Sequence, residues 1–279
     1  MRFLFLILAL LAAAPTMAQE KESVFDRIVR TGVIRCGYYV FPPVMLRDPN
    51  TNTLTGLSKD MMEEIAKRAS LKVEWAAEIT WANWVPELQA DRFDVACTPM
   101  WPDMPMTKAV TFTKAMLYAG LHPVVRKDDE RFIKDPTLAR LNQPDVTILT
   151  QEGNATAGMV QRAFPNAQYF VLPATASGGE YYQALLAKKA DATLTDLNGL
   201  YYYDQTNRNN FTLIEPNKPV KLQSFNLAVK RGEQDLANFL NLAIDDLYDS
   251  GEMDRLIRKW EPEPGRSFLR NATPAELPR

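Results

Sequence analysis

The sequence predicts an α/β protein of two lobes, and three observations point that way. Short apolar strands alternate with helices of 3.6-residue apolar periodicity, which implies parallel sheets with ligand crevices beyond the C-terminal strand ends. This alternation occurs twice, before and after a connecting strand at 119–126. A later strand at 222–229 leads into one more amphipathic helix, so one unit is assembled from both ends of the chain. Two strands crossing between lobes are what a hinge requires, with a ligand held between the lobes.

Taken in order, 33–39 reads as an apolar strand, and Phe41-Pro42-Pro43 forces an extended loop after it. The turn cluster at 48–52 precedes a helix over 59–70, whose Met61, Met62, Ile65, Ala66 and Ala69 share one face. A strand at 71–75, a helix at 84–90 and a strand at 93–97 follow. A polar, Pro-rich loop at 98–106 then gives way to apolar residues at Val110 and Phe112. The second set comprises strands at 146–150, 168–172 and 192–194, with helices at 155–163, 180–189 and 197–205. Tyr201-Tyr202-Tyr203 lies in the last of these beside Leu197 and Leu200, a spacing that favours core packing. The helix at 235–248 is strongly amphipathic and is closed by Ser250-Gly251. From Glu261 onward, four prolines in nineteen residues indicate an irregular tail.

The N-terminus reads as an export signal over 1–18. Arg2 gives a positive start, 3–14 is unbroken apolar, and Thr16-Met17-Ala18 supplies a small-residue cleavage site. That apolar run is shorter than the ~20 residues needed to span a membrane. The mature chain is therefore expected in the periplasm, where disulfides are permitted. Its net charge, −2 for the full chain and −3 without Arg2, argues against nucleic acid as a partner. Cys36 and Cys97 either pair, if their strands are neighbours, or behave as two buried small hydrophobes. His122 is the only histidine, so neither a Cys-His metal site nor a cofactor is expected.

Several motifs stand in a fixed order. Cys36-Gly37 leads to Phe41-Pro42-Pro43, and Leu54-Thr55-Gly56 is followed by Asp60. Trp81 opens a segment reaching Leu88, and Asp91-Arg92-Phe93-Asp94-Val95 precedes the loop at 98–106. Gln151-Glu152-Gly153-Asn154, Ala190-Asp191-Ala192 through Asp196, and the helix at 251–260 complete the series. In this order the chain resembles, over 24–260, the periplasmic solute-binding proteins of family 3, which serve amino-acid ABC transporters. The resemblance implies the type II clamshell, with lobe 1 at 19–120 plus 225–260, lobe 2 at 121–224 and a tail at 261–279. It also implies a monomer, not an enzyme, that presents a small-molecule ligand to an inner-membrane ABC permease. Periplasmic cyclohexadienyl dehydratases resemble the same fold, and a ligand-sensing receptor subunit would share its sequence features.

The resemblance places Phe41, Trp81, Thr98, Trp101, Gly153, Asn154 and Asp196 at the ligand. Asp196 would meet a ligand ammonium through charge-assisted hydrogen bonds, or else cap the helix starting at Leu197. Gly153 and Asn154 lie where a loop enters a helix; free N–H groups there suit a carboxylate, and a plain turn is the other reading. In the loop at 98–106 the family usually offers hydroxyls at Thr98, Pro99 and Trp101, and at Met106 an arginine that forks onto the ligand carboxylate. Here only Thr98 keeps its hydroxyl, Pro99 has no backbone donor, and Met106 carries no charge. Losing such a contact costs about 2–5 kcal/mol. Phe41, Trp81 and Trp101, with Tyr38, Tyr39 and Trp84 close in sequence, favour a cationic nitrogen beside one carboxylate. Alternatively these rings serve packing, and another basic residue reaches in. Asp103, Glu152 and Glu180 are loop acids open to catalysis, without a diagnostic pairing.

Overall fold

A computed structural model describes residues 22–154, 156–206, 209–261 and 268–269, so the expected export signal lies outside the described residues. Helix α1 (Val24–Thr31) begins where Ser23 accepts from the Asp26 N–H at 3.0 Å and ends at Gly32, whose φ of 69° suits glycine. Ile28 of α1 is fully buried and Val24 and Phe25 pack partly buried against the first core, an apolar face that the sequence reading did not assign to a helix. Next come β1 (Val33–Tyr38), the hairpin β2 (Leu46–Arg47) and β3 (Leu54–Thr55), α2 (Leu57–Arg68) and β4 (Lys72–Glu78). They are followed by α3 (Trp84–Gln89), β5 (Val95–Met100), β6 (Val110–Phe112) and the long β7 (Leu117–Arg126). The second set is α4 (Glu130–Lys134), α5 (Leu138–Leu141), β8 (Thr147–Gln151), α6 (Ala157–Ala163) and β9 (Gln168–Leu172). It continues with α7 (Gly178–Leu186), β10 (Ala192–Asp196), α8 (Leu197–Thr206) and β11 (Phe211–Leu213). The chain then returns through β12 (Lys221–Lys230) to α9 (Gln234–Asp249) and α10 (Glu252–Trp260).

The main sheet runs β4-β1-β5-β12-β7-β10-β8-β9. Pairing is parallel toward both outer ends and antiparallel at the centre, where β12 and β7 run side by side. Apolar cores form on either side of this central pair. One draws on residues between Ile28 and Ala119 and again from Phe225 to Phe268. The others in the second set draw only on residues between Val124 and Ile214. The protein is therefore a two-lobed α/β clamshell, as the repeated alternation predicts.

Strand β5 extends further than its sequence suggests. Thr98, Pro99 and Met100 are buried strand residues, not the start of a loop. Proline is tolerated there because the register between β12 and β5 shifts between Asn226 and Ala228, where no regular ladder bond is required. The remaining loop holds a 3₁₀ turn at Met104–Lys108. Pairing of β1 with β5 brings Cys36 and Cys97 to a Cα separation of 5.4 Å, and they form a disulfide inside the first core. Gly37 follows because a Cβ there would lie 2.8 Å from the Phe93 ring. The fully buried Asp94 accepts from the Arg35 N–H at 2.7 Å and from Arg35 Nη2 at 2.8 Å, and it also pairs with Arg27. That carboxylate ties α1, β1 and β5 together. Of the expected tail only 261 and 268–269 are described; Phe268 is buried in the first core, and Leu269 forms an isolated bridge with Tyr118. No described helix is long and apolar enough to cross a membrane.

The disulfide closes a separation of 61 residues, so its removal frees a long loop in the unfolded chain. A Cys36→Ala/Cys97→Ala protein is expected to lose about 3–4 kcal/mol of unfolding free energy in urea titration. Equal stability of the two proteins would show that the bond does not restrain the fold.

Candidate ligand-binding site

The C-terminal ends of β1, β4 and β5 face those of β8, β9 and β10 across a cavity of about 480 Å³. The first-lobe wall is aromatic, and its placement starts in the backbone. The Tyr39 N–H donates to Thr98 Oγ1 at 3.2 Å, and Tyr39 Oη donates to the Pro99 carbonyl at 2.6 Å. These two bonds staple the end of β1 to the end of β5. Tyr39 then packs on Trp81 at 5.3 Å, Trp81 on Trp101 at 5.7 Å, and Phe41 on Trp101 at 6.4 Å between centroids. In the second lobe, Tyr182 stacks on Tyr203 at 4.1 Å. Tyr181 Oη donates to Gln151 Oε1 at 2.8 Å, while Gln151 Nε2 donates to the Ala176 carbonyl at 2.8 Å and fixes the loop before α7.

Of the seven expected ligand residues, Phe41, Trp81, Trp101 and Asn154 line this cavity. Thr98 is completely buried behind it and serves Tyr39. Gly153, at φ 74°, packs against the other lobe: a Cβ there would lie 3.6 Å from the Trp81 carbonyl oxygen. Asn154 Oδ1 accepts from the Thr156 N–H at 2.9 Å, so that amide is already engaged at the start of α6. Asp196 is buried under the cavity floor, where Oδ1 accepts from the N–H groups of Asn198 at 3.0 Å and Gly199 at 3.1 Å. It therefore caps α8, while its Oδ2 has no hydrogen-bond partner. Gly199 lines the floor. A Cβ on it would sit 3.4 Å from Thr195 Oγ1, 3.6 Å from Tyr182 Oη and 3.7 Å from Asp196 Oδ2, so a glycine here adds no side chain beside those three oxygens.

Met106, at the position where the family carries its arginine, packs with the Trp84 and Phe93 cluster and does not line the cavity. Of the rings named as close in sequence, Tyr39 lines the cavity and Tyr38 and Trp84 do not; sequence reasoning missed Glu78, Thr80, Thr150, Tyr181 and Tyr182 as lining residues, and it assigned Tyr202 and Tyr203 to core packing. The hydroxyl-rich run Thr193-Leu194-Thr195 just before Asp196 was the one available signal on the second lobe.

Charge in the wall has one sign. Among the described lining residues Glu78, paired with Arg47, is the only acid, and none is a lysine or arginine. Burial raises the Asp196 carboxyl above its usual range, opposed by the backbone hydrogen bonds from Gly199 and Asn198. Burial, with the nearby charge of Asp196, likewise raises the Tyr39 hydroxyl and keeps it a neutral donor. Trp101 Nε1 and Thr150 Oγ1 are also buried without partners. The cavity thus offers ring faces, hydroxyls and a carboxylate beneath its floor, with no cation to receive an anionic group. Among the described residues no cluster of His, Cys, Asp or Glu could hold a metal.

Residues 34–263 match the bacterial extracellular solute-binding proteins, family 3. The chain belongs to that family. This family-3 chain is 24% identical to the ABC transporter glutamine-binding protein of Bacillus subtilis over 220 residues, covering 78% of this chain and 77% of that protein. It is 27% identical to a cyclohexadienyl dehydratase of Pseudomonas aeruginosa over 190 residues, covering 68% of each. The crystal structure of an ancestral amino acid-binding protein, a precursor of cyclohexadienyl dehydratase, superposes with a TM-score of 0.72 at 26% identity. That superposition covers 86% of this chain and 99% of the ancestral protein.

The raised Asp196 carboxyl has a thermodynamic signature. Its folded value exceeds the unfolded one, about 3.9, so its contribution to stability is complete below that pH and is lost as pH rises through the folded value. Asp196→Asn keeps a capping oxygen and never ionises. Its melting temperature is expected to improve relative to the native protein as pH rises above about 4. A difference that does not change with pH would contradict the raised carboxyl.

Proposed function

We propose that this family-3 protein is the periplasmic receptor of an ABC transporter whose solute carries a cationic nitrogen and no free carboxylate. The supporting observation is the sign of the wall: rings and hydroxyls line the cavity, Asp196 lies under its floor, and no described lining residue is basic. A cation gains about 0.5–2 kcal/mol from each ring face it meets. A carboxylate placed there would be desolvated without a cationic partner, a cost of about 2–5 kcal/mol. Lys221, the half-buried base at the start of β12, interacts with Asp103 and does not line the cavity. The related proteins named for glutamine binding and for amino acids indicate a small nitrogenous solute class.

In this reading lobe 1 (19–120 plus 225–260) and lobe 2 (121–224) close around the solute, and a monomer presents it to an inner-membrane permease. The dehydratase relative raises catalysis as a second reading. Asp103, Glu152 and Glu180 do not line the cavity, and Glu180 is engaged by the Ser177 N–H at 2.6 Å in a capping box. That leaves Glu78, already paired with Arg47, as the one acid in the wall. The geometry favours binding over turnover.

Native mass spectrometry of the purified protein, followed by thermal-shift screening of amines against amino acids, tests this reading. Amines without a carboxylate are expected to raise the melting temperature. Trp101→Ala is expected to weaken that binding by about 2- to 30-fold, the equivalent of one ring contact. Tight binding of several α-amino acids that is indifferent to Trp101→Ala would overturn the cation reading. Turnover of prephenate would replace the receptor by an enzyme.

A further inference from the structure

The C-terminal tail returns to the place where the lobes are joined. After α10 the chain is anchored at Glu261, which is buried and whose Oε1 accepts from the Phe268 N–H at 2.9 Å. Leu269 and Tyr118 exchange both backbone hydrogen bonds, each 2.8 Å long. Tyr118 stands on β7 opposite Ser224 of β12, so Leu269 adds a third strand position beside the two crossing strands. Strand β10 covers β7 from Leu121 onward, and Leu269 pairs with β7 three residues before that point.

The side chain of Phe268 continues inward. Its ring lies 6.1 Å from that of Phe225 on β12, and Phe225 is fully buried. Phe225 in turn meets Phe41 at 6.5 Å and lies nearly parallel to Trp101 at 6.5 Å. Phe41 and Trp101 are cavity wall. The tail is thus one ring removed from the ligand site, and the intervening ring belongs to a crossing strand.

We propose that Phe268 and Leu269 are positioning residues for the ligand cavity. Leu269 restrains the twist of the crossing pair, and Phe268 props Phe225 beneath Trp101 and Phe41. Proteins pack at crystal-like density, so deleting the Phe268 ring leaves a void into which Phe225 relaxes. Trp101 loses its backing and becomes more accessible from the cleft.

Acrylamide quenching of tryptophan emission in the full-length mature protein tests this without any ligand, so the outcome is separate from the identity of the solute. The Trp101 contribution is isolated by difference against the same proteins carrying Trp101→Phe. Phe268→Ala and Leu269→Pro, which deletes one of the two backbone bonds, are expected to raise the Trp101 quenching constant by about twofold. Phe268→Leu restores most of the native value. Ile244→Val, which loosens the same core on α9, lowers the melting temperature and leaves Trp101 unchanged. The proposal is overturned if Phe268→Ala and Leu269→Pro leave Trp101 quenching at the native value, or if Ile244→Val raises it equally. Should Phe268→Ala fail to fold, Leu269→Pro decides by the same criterion.

Discussion

The parallel pairing of β1 with β5 carries the ligand wall. Three restraints act on that one pairing: the Cys36–Cys97 disulfide, the buried Asp94 carboxylate shared by Arg27 and Arg35, and the Tyr39–Thr98 bond. Because β1 and β5 are adjacent and in register, the loops leaving them are adjacent too, and they deliver Tyr39, Phe41 and Trp101 side by side. Aromatic rings recognise a cation only when their faces are held in place, and large rings on loose loops would collapse on one another. Rigidity in the strands is therefore a condition for recognition in the loops. The same wall is supported from below by Phe225, so the site rests on a crossing strand as well as on its own lobe.

Much of the architecture was legible because it follows from local periodicity. Strand and helix alternation and the amphipathic α9 are properties of residues near one another in sequence. What escaped is non-local. Thr98 and Pro99 have turn chemistry when read alone, and only the shifted register with β12 shows why they can be strand. Helix α1 docks Ile28, Val24 and Phe25 on a core completed by α9, far away in sequence, and Arg27 reaches the buried Asp94. The two cysteines could not be assigned until β1 and β5 were known to be neighbours.

The site shows the same division. Residues on the loops after β1, β4 and β5 could be named because motif order locates those loops. The tyrosines of α7 and α8 could not, since Tyr182 and Tyr203 belong to different helices and meet only through packing. Asp196 joins two readings that the sequence left apart: one oxygen caps α8, and the other stays unpartnered beneath a glycine floor. A buried acceptor left without a donor is costly, so a donor cation at that floor would relieve the cost as well as gain from the rings.

In the proposed reading the cavity selects for a positive nitrogen and against a carboxylate. Isothermal titration of matched pairs isolates that one group: lysine against cadaverine, and arginine against agmatine. Each pair shares a cationic chain and differs in the α-carboxylate. The decarboxylated member is expected to bind more tightly, by about tenfold or more. Tighter binding of lysine and arginine than of cadaverine and agmatine would contradict it.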